Sequence, residues 1–571
     1  MRPAEIVPII EWLGRYRRAD LPGDFTAGII TAIMLVPQSM AYALLAGLSP
    51  HVGLYASIAP LVLYALFGSS RALAVGPVAL ISLLVASTIG TLDQQGVSAH
   101  QSALMLAFLV GVFNILLGVI RAGFLVNFIS HPVISGFSSA AALVIGFSQL
   151  KHLLGIDIPR TNNILEIIES AVAQTNQVNQ TALALGLSCI AILILARGPL
   201  SSILRAMGVK HAVAVIIAKA GPLIIVVIST FLVWTLELDK VAGINIVGVI
   251  PAGLPSLTFP LANIDVWQRL LSPALLITLV GFLESISVAK TLASKRRQKI
   301  DANQELLGLG AANIGAALTG GYPVTGGLSR SSVNFEAGAN TPLASIITAG
   351  IVALTVLLLT PFFYFLPQAT LAGIIIVAVS SLVDSKMLKT AWAYNKADAV
   401  SLLITFAVVL VYNVEVGIIV GLIASLGLFL WRTATPHYAI VGRIAGTEHF
   451  RNIKRHNVET NPEILAIRID ESLYFANARF LETTILAAVA ESPAIRHVVL
   501  ICSAVNIIDT SALETLETLI DELRDAEVTL HLAEVKGPVT DRLARTELLN
   551  KLKPGRVFLS AHEAIAALER E

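Results

Sequence analysis

Two charged residues stand inside apolar or small-residue stretches of this sequence. Glu284 lies within the run 275–289, Leu-Leu-Ile-Thr-Leu-Val-Gly-Phe-Leu-Glu-Ser-Ile-Ser-Val-Ala. A carboxylate at that depth in a membrane segment is costly unless it is protonated, paired or hydrated. Burial favours the neutral acid, while a nearby cation favours the anion. A group under both pulls can carry a proton. Its plainer role is a structural partner for Arg330 or for a serine hydroxyl, and both roles can hold together. Arg330 sits in Gly-Gly-Leu-Ser-Arg-Ser-Ser, residues 326–332, just after a glycine-rich break. At the start of a broken helix the first N–H groups lack acceptors and the dipole is positive, which suits an anion. Arg330 would add a full charge there; the alternative is a loop residue at the membrane surface. A second such start is expected at Gly76-Pro77. Pro77 fits the first helical position because it has no N–H to leave unpaired. Gln38, Ser39 and Tyr42 form a polar stripe, with Gln38 and Tyr42 one helical turn apart. They could donate to an anion or bond another helix.

The elements that position these residues are membrane segments. Only 13% of the 571 residues are charged and 55% are hydrophobic, with a mean hydropathy of +0.78. A soluble chain would carry about 25% charge. Fourteen apolar segments are expected, at 25–46, 52–67, 74–90, 101–120, 124–149, 180–197, 212–235, 269–293, 303–319, 326–337, 341–363, 368–384, 397–412 and 414–432. With both ends cytoplasmic, the inward loops hold Arg71, Arg121, Arg197, Arg205, Lys210, Lys295, Arg296, Arg297, Lys299, Lys386, Lys389 and Lys396. The outward loops hold only Lys151, Arg160 and Lys240. This follows the positive-inside rule. The run 295–299 reads as a topology signal, with anionic lipid contact as an alternative. The first segment resembles the eighth and the third resembles the tenth, at an offset of about 250 residues. Seven spans between copies force opposite orientation, the inverted-repeat plan of a secondary transporter.

From 436 to 571 the pattern becomes that of a small α/β domain. Strands are expected at 464–469, 497–502, 528–532 and 556–559, and helices at 476–491, 511–524, 538–548 and 561–570. The domains are thus a cytoplasmic N-terminal segment, 1–23, a transport domain, 24–435, and this tail. The two cysteines, Cys189 and Cys502, suggest no disulfide framework. No metal-ligand cluster or phosphate-binding loop appears, so no cofactor and no ATP-driven pumping are expected. The net charge of +1 gives no case for nucleic acid. No nucleophile–base constellation supports an enzyme, and the N-terminus does not read as a signal peptide.

The stretch from Pro37 through Gln38 and Tyr42 to Ala56 resembles the signature of the sulfate permease (SulP) family. So do the stretches from Phe67 to Ala79 and from Gly320 to Val333. The tail resembles that family's STAS domain. The resemblance implies a fold of seven-plus-seven inverted repeats divided into core and gate domains, usually a homodimer. It implies an anion site between half-helices three and ten, formed here by Gln38, Tyr42, Gly76, Pro77, Val78, Ser329 and Arg330. Glu284 matches the position associated with cation coupling and looks like that of the proton-coupled sulfate members. In the tail, Asp509-Thr-Ser511-Ala512 resembles a loop in which a serine is phosphorylated, although Ala512 stands where those proteins usually have Gly. The alternative is capping by Asp509 or Ser511, with Glu514 completing a capping box. The expectation is a proton-coupled sulfate symporter of the inner (plasma) membrane, moving its core against its gate in an elevator-type shift. Alternatives are bicarbonate or dicarboxylate transport, anion exchange, or a signalling protein whose STAS domain recruits a partner.

Overall fold

The computed structural model describes residues 7–571 apart from 94–95, 129, 159–162, 252 and 261–263. Arg160, expected in an outward loop, lies outside the described residues. A helix lies at each of the fourteen expected segments. They are α1 (Leu21–Leu45), α2 (Ala59–Phe67), α3 (Ala79–Asp93), α4 (Ala99–Val119), α5 (His131–Ser148), α6 (Gln180–Arg197) and α7 (Gly221–Thr235). There follow α8 (Ile264–Lys295), α9 (Ala302–Leu318), α10 (Leu328–Glu336), α11 (Leu343–Leu358), α12 (Gln368–Val379), α13 (Lys396–Val411) and α14 (Val414–Ala434). The seventh segment is broken, with a separate helix at His211–Lys219 and Ala220 between the two pieces. Among the described residues, eight helices are long and apolar enough to cross a membrane, and α7, α11 and most of α3 are shorter apolar helices.

Polar caps and close backbone contacts explain much of the packing. Asn179 accepts from the Ala182 N–H to start α6, and Asp301 accepts from Asn303 and Gln304 to start α9. Helix α9 approaches its neighbours closely through small residues. A Cβ on Gly308 would lie 2.7 Å from the Cα of Gly68 beside α2, and one on Gly310 would lie 3.0 Å from the Gly111 carbonyl of α4. The helices pack in two groups. In the first, α9 lies on α4 and α2, α8 on α4 and α10, and α11 and α10 on α1. In the second, α13 lies on α5, α12 on α5 and α6, and α7 on α6 and α12. Helices α1 and α3 of the first group face α12, α7 and α5 of the second.

Short strands precede both half-helices: β1 (Val75–Gly76) before α3 and β2 (Thr325–Gly326) before α10. They pair antiparallel, Val75 with Gly326 and Gly76 with Thr325. Residues in corresponding positions of the two halves are therefore direct partners, running in opposite directions.

The chain divides into two compact units, Met1–Ser425 and Leu426–Glu571. The second unit contains a six-stranded sheet in the order β4-β3-β5-β6-β7-β8. These strands are β3 (Tyr438–Arg443), β4 (Phe450–Asn452), β5 (Ile464–Ile469), β6 (His497–Ile501), β7 (Thr529–Ala533) and β8 (Val557–Phe558). β5 to β8 are parallel, and β3 and β4 add an antiparallel edge. The sequence pattern missed that edge. β4 is three residues long, Phe-Arg-Asn, and has no apolar run to mark it. Alternate residues serve two cores. Leu465, Ile467, Val498 and Leu500 pack with α15 (Ala478–Glu491) and α16 (Thr510–Asp525). Ala466, Val499 and Ile501 pack with α17 (Ala561–Leu568). Covering both faces explains why the central strands read as continuous apolar runs.

Candidate functional site

The β1–β2 pair is fixed by buried polar side chains. The Ser285 hydroxyl donates to Thr325 Oγ1 at 2.6 Å and accepts from the Gly326 N–H at 2.8 Å, while Thr325 Oγ1 donates to the Gly281 carbonyl at 2.6 Å. Asn313 of α9 accepts from the Val324 N–H at 2.9 Å and donates to the Val324 carbonyl at 3.0 Å. The Tyr322 and Ser82 hydroxyls bond at 2.9 Å. On the opposite side, Ser331 accepts from the Ala74 N–H at 2.9 Å and Asn334 donates to the Ala72 carbonyl at 3.1 Å. Each half-helix is thus tied to the loop that leads into the other. Satisfied buried networks of this kind hold a unique geometry.

Helix α3 begins at Ala79, with its first bond from the Ser82 N–H to the Val78 carbonyl at 2.9 Å. Pro77 is therefore one residue ahead of the cap, which corrects its expected place at the first helical position. It instead follows β1 directly, and its carbonyl accepts from Arg330 Nη1. In α10 the first bond is from the Ser331 N–H to the Gly327 carbonyl at 3.0 Å. Gly327 lets the Arg330 side chain fold back over its own helix start. A Cβ there would lie 3.1 Å from Arg330 Nη2.

These parts meet in one cavity of about 280 Å³. It is lined by Gln38 and Tyr42 of α1, Val78 to Leu80, Glu284 of α8 and Gly327 to Arg330. The far wall comes from the second group: Arg197 at the end of α6, and Ala378, Val379, Ser381 and Leu382 at the end of α12. Gln38 and Tyr42 share the face expected from their spacing, and among the described residues neither side chain bonds another helix. Ser39 turns away, donating to the Val36 carbonyl at 3.0 Å. Gly76 is behind the wall, where a Cβ would lie 3.4 Å from Arg330 Nη2.

Arg330 is 2% exposed. Its Nε and Nη2 have no protein partner, and neither has Glu284 Oε2. Glu284 and Arg330 line the same cavity without forming an ion pair, so simple mutual neutralisation does not account for them. A buried guanidinium with free donors carries a large desolvation cost that an anion would offset. First-turn residues of two helices add unsatisfied N–H groups and positive dipole ends.

Two further residues escaped the sequence reading. By sequence Arg197 counts among the loop charges, yet it lines the cavity. At a helix end its letter is the same as that of a topology signal. By sequence Arg296 is a topology signal or a lipid-facing charge. Its Nη1 donates to the Ala339 carbonyl and its Nη2 to the Phe335 carbonyl at 3.3 Å, and its guanidinium lies 4.3 Å from the Phe335 ring centre. It binds the C-terminal end of α10, where a cation complements the dipole. In the tail, Asp509 caps α16 by accepting from the Ala512 N–H at 2.8 Å. Ser511 is exposed and takes no part in that cap.

A family model described as the sulfate permease family matches residues 21–405. The chain belongs to that family. A STAS domain model matches residues 455–564. As a sulfate permease family member the chain is a multi-pass membrane transporter and not an enzyme. It is 38% identical to "Sulfate transporter 4.1, chloroplastic" of Arabidopsis thaliana, over 98% of this chain and 82% of that protein. It is 35% identical to "High affinity sulfate transporter 2" of Stylosanthes hamata, over 98% of this chain and 86% of that protein. The fold is similar to that of SLC26A9, with a TM-score of 0.90 at 23% identity, covering 99% of this chain and 93% of that one. The transmembrane domain of the cyanobacterial bicarbonate transporter BicA is also similar, with a TM-score of 0.61 at 24% identity, covering 72% of this chain and 99% of that domain.

Proposed function

We propose that this sulfate permease family member is a proton-coupled importer of sulfate, working by movement of the first helix group against the second. Membership of the family makes the protein a transporter of small anions. Sulfate as the anion is supported by the named activities of the plant relatives, which align over nearly the whole chain. The observation that carries the site is the buried Arg330 side chain, with free Nε and Nη2 in a cavity shared with both half-helix starts.

Charge balance supplies the coupling. With Glu284 ionised and no anion, the Arg330–Glu284 pair is neutral. Sulfate alone would leave this pair, which moves without Arg197, carrying two net negative charges, and a proton on Glu284 removes one of them. Moving less charge through a low-dielectric region costs less. By linkage, a proton that strengthens anion binding is itself bound more tightly when the anion is present. Gln38, Tyr42, Ser329 and the N–H groups near Val78 orient the oxyanion, while Gly76 and Pro77 hold Arg330 in place. The reading extends to a homodimer in the plasma membrane, and the excess of basic residues in the inward loops supports cytoplasmic ends. The STAS domain is then on the cytoplasmic side, where Ser511 is open to modification.

The test is radiolabelled sulfate uptake into proteoliposomes, with and without an inward proton gradient. Wild type should accumulate sulfate as external pH falls. A charge-assisted hydrogen bond is worth roughly 1.5–3 kcal/mol, so Arg330→Ala should lose on the order of 10- to 150-fold in uptake efficiency. Glu284→Gln should lose gradient-driven accumulation while keeping sulfate binding. Concentrative, pH-independent uptake by Glu284→Gln would remove the coupling. Full uptake by Arg330→Ala would remove the site.

A further inference from the structure

Arg197 is the last residue of α6, a helix of the second group, yet it lines the cavity that holds Arg330, Gln38 and Tyr42 from the first. It also lines a neighbouring cavity of about 280 Å³ that shares Gln38, Ser329 and Ala378 and extends past Ser201 to Lys219. Arg197 is thus where the two cavities join. Glu284 is the one acidic residue on the first lining, and the second has none. Among the described residues no carboxylate pairs with Arg197. The cavity is therefore lined by two arginines, buried Arg330 and exposed Arg197, one on each side of the helix-group boundary, against a single carboxylate.

We infer that Arg197 is a second anion-coordinating charge, supplied by the helix group that does not carry the anion. It is a specificity-determining residue for the transport reaction, and the inference rests on the anion-site reading above. Arg330 travels with the half-helices and their bound anion. Arg197 meets that anion only in the arrangement seen here and is left behind when the groups shift. Two consequences follow. Coulomb attraction scales with ligand charge, so a second cation favours a dianion over a monoanion. The contact is also made from one side alone, so it strengthens binding where the cavities open, towards Ser201 and Lys219, and has little effect at the opposite face. A purely structural role, in which Arg197 complements the C-terminal dipole of α6, would give neither consequence.

The experiment compares wild type, Arg197→Gln, Arg197→Lys and Arg330→Ala in right-side-out and inside-out membrane vesicles. It reads the half-saturating sulfate concentration and the inhibition by nitrate. Arg197→Gln is expected to raise the sulfate constant about tenfold on the side where the cavities open, and by less than about twofold on the other. It should narrow the preference for sulfate over nitrate, and Arg197→Lys should recover most of both. Thermal unfolding in detergent reports folding separately. An equal change on both sides, an unchanged sulfate-to-nitrate preference, or a loss of stability with normal affinities would overturn the proposal. If Arg330→Ala abolishes uptake while Arg197→Gln has no effect, only this inference fails. If neither variant has an effect, the anion-site reading fails with it.

Discussion

Buried carboxylates take opposite roles in this molecule according to their donors. Glu305 of α9 is fully buried, but it accepts from the Tyr64 hydroxyl at 2.6 Å, the Ser69 N–H and hydroxyl at 2.8 Å and the Ser70 N–H at 3.0 Å. Its charge is fully answered, and it anchors the loop that leads to β1. Asp24 is likewise buried and accepts from the Asn340 and Thr341 N–H groups and the Thr341 hydroxyl. Glu284, half-buried on the cavity wall with Oε2 buried and free of a protein partner, is the carboxylate that chemistry can use there. The soluble domain has its own titratable pair. The Arg556 N–H donates to His531 Nδ1 at 3.2 Å, which leaves Nε2 protonated and pointing to His497 Nδ1 at 3.2 Å. Burial, followed by the neighbouring His497 and Arg556, pushes His531 down to about 4. The unfolded chain therefore binds a proton that the folded one refuses. Stability is full above the unfolded pKa near 6.5 and is lost as pH falls from there towards 4. At roughly 1.4 kcal/mol per pKa unit the loss is a few kcal/mol at most. Thermal melts of the STAS domain should show it, and His531→Gln should flatten the dependence. An unchanged pH profile in that variant would assign the acid sensitivity to other groups.

At the scale of elements, the boundary between the two helix groups carries an ion pair. Lys219, at the end of helix His211–Lys219, lies 2.9 Å from Glu336 at the end of α10, with side-chain exposures of 19% and 58%. If the groups shift during transport, this contact belongs to one arrangement only. Partly exposed pairs are worth about 0.2–1 kcal/mol, so breaking it should change the balance of arrangements by up to about fivefold. A Ser329→Cys reporter should be labelled less readily from the cavity's open side when Glu336→Lys is introduced. Adding Lys219→Glu should restore labelling, because the swap re-forms the pair. Equal labelling in all variants would show that the pair does not bias the balance.

At the scale of the whole molecule, the two compact units have separate hydrophobic cores. In the second, helices cover both faces of the sheet, so its burial does not depend on the membrane helices. Residues 436–571 expressed alone should therefore be soluble and unfold in one cooperative transition by circular dichroism. A molten or aggregated product would mean that the missing residues supply part of its core.

The sequence determined the element plan, because it is a matter of local composition. Apolar length marks a membrane span, so all fourteen segments could be placed, including the glycine-interrupted third and tenth. Alternating and continuous apolar runs marked the four parallel strands, but the short antiparallel edge had no such signal. Glu284, Arg330 and the Gln38–Tyr42 stripe were legible because polar groups in apolar surroundings demand a reason. Only the tertiary structure decided what each charge faces. It turned Glu305 and Asp24 into structural anchors, gave Arg296 to the end of α10, and brought Arg197 across a helix-group boundary to a cavity 133 residues away in sequence at Arg330. Those outcomes depend on distances between segments remote in the chain. The order of residues sets a helix's own faces, but the neighbours on those faces are set by packing.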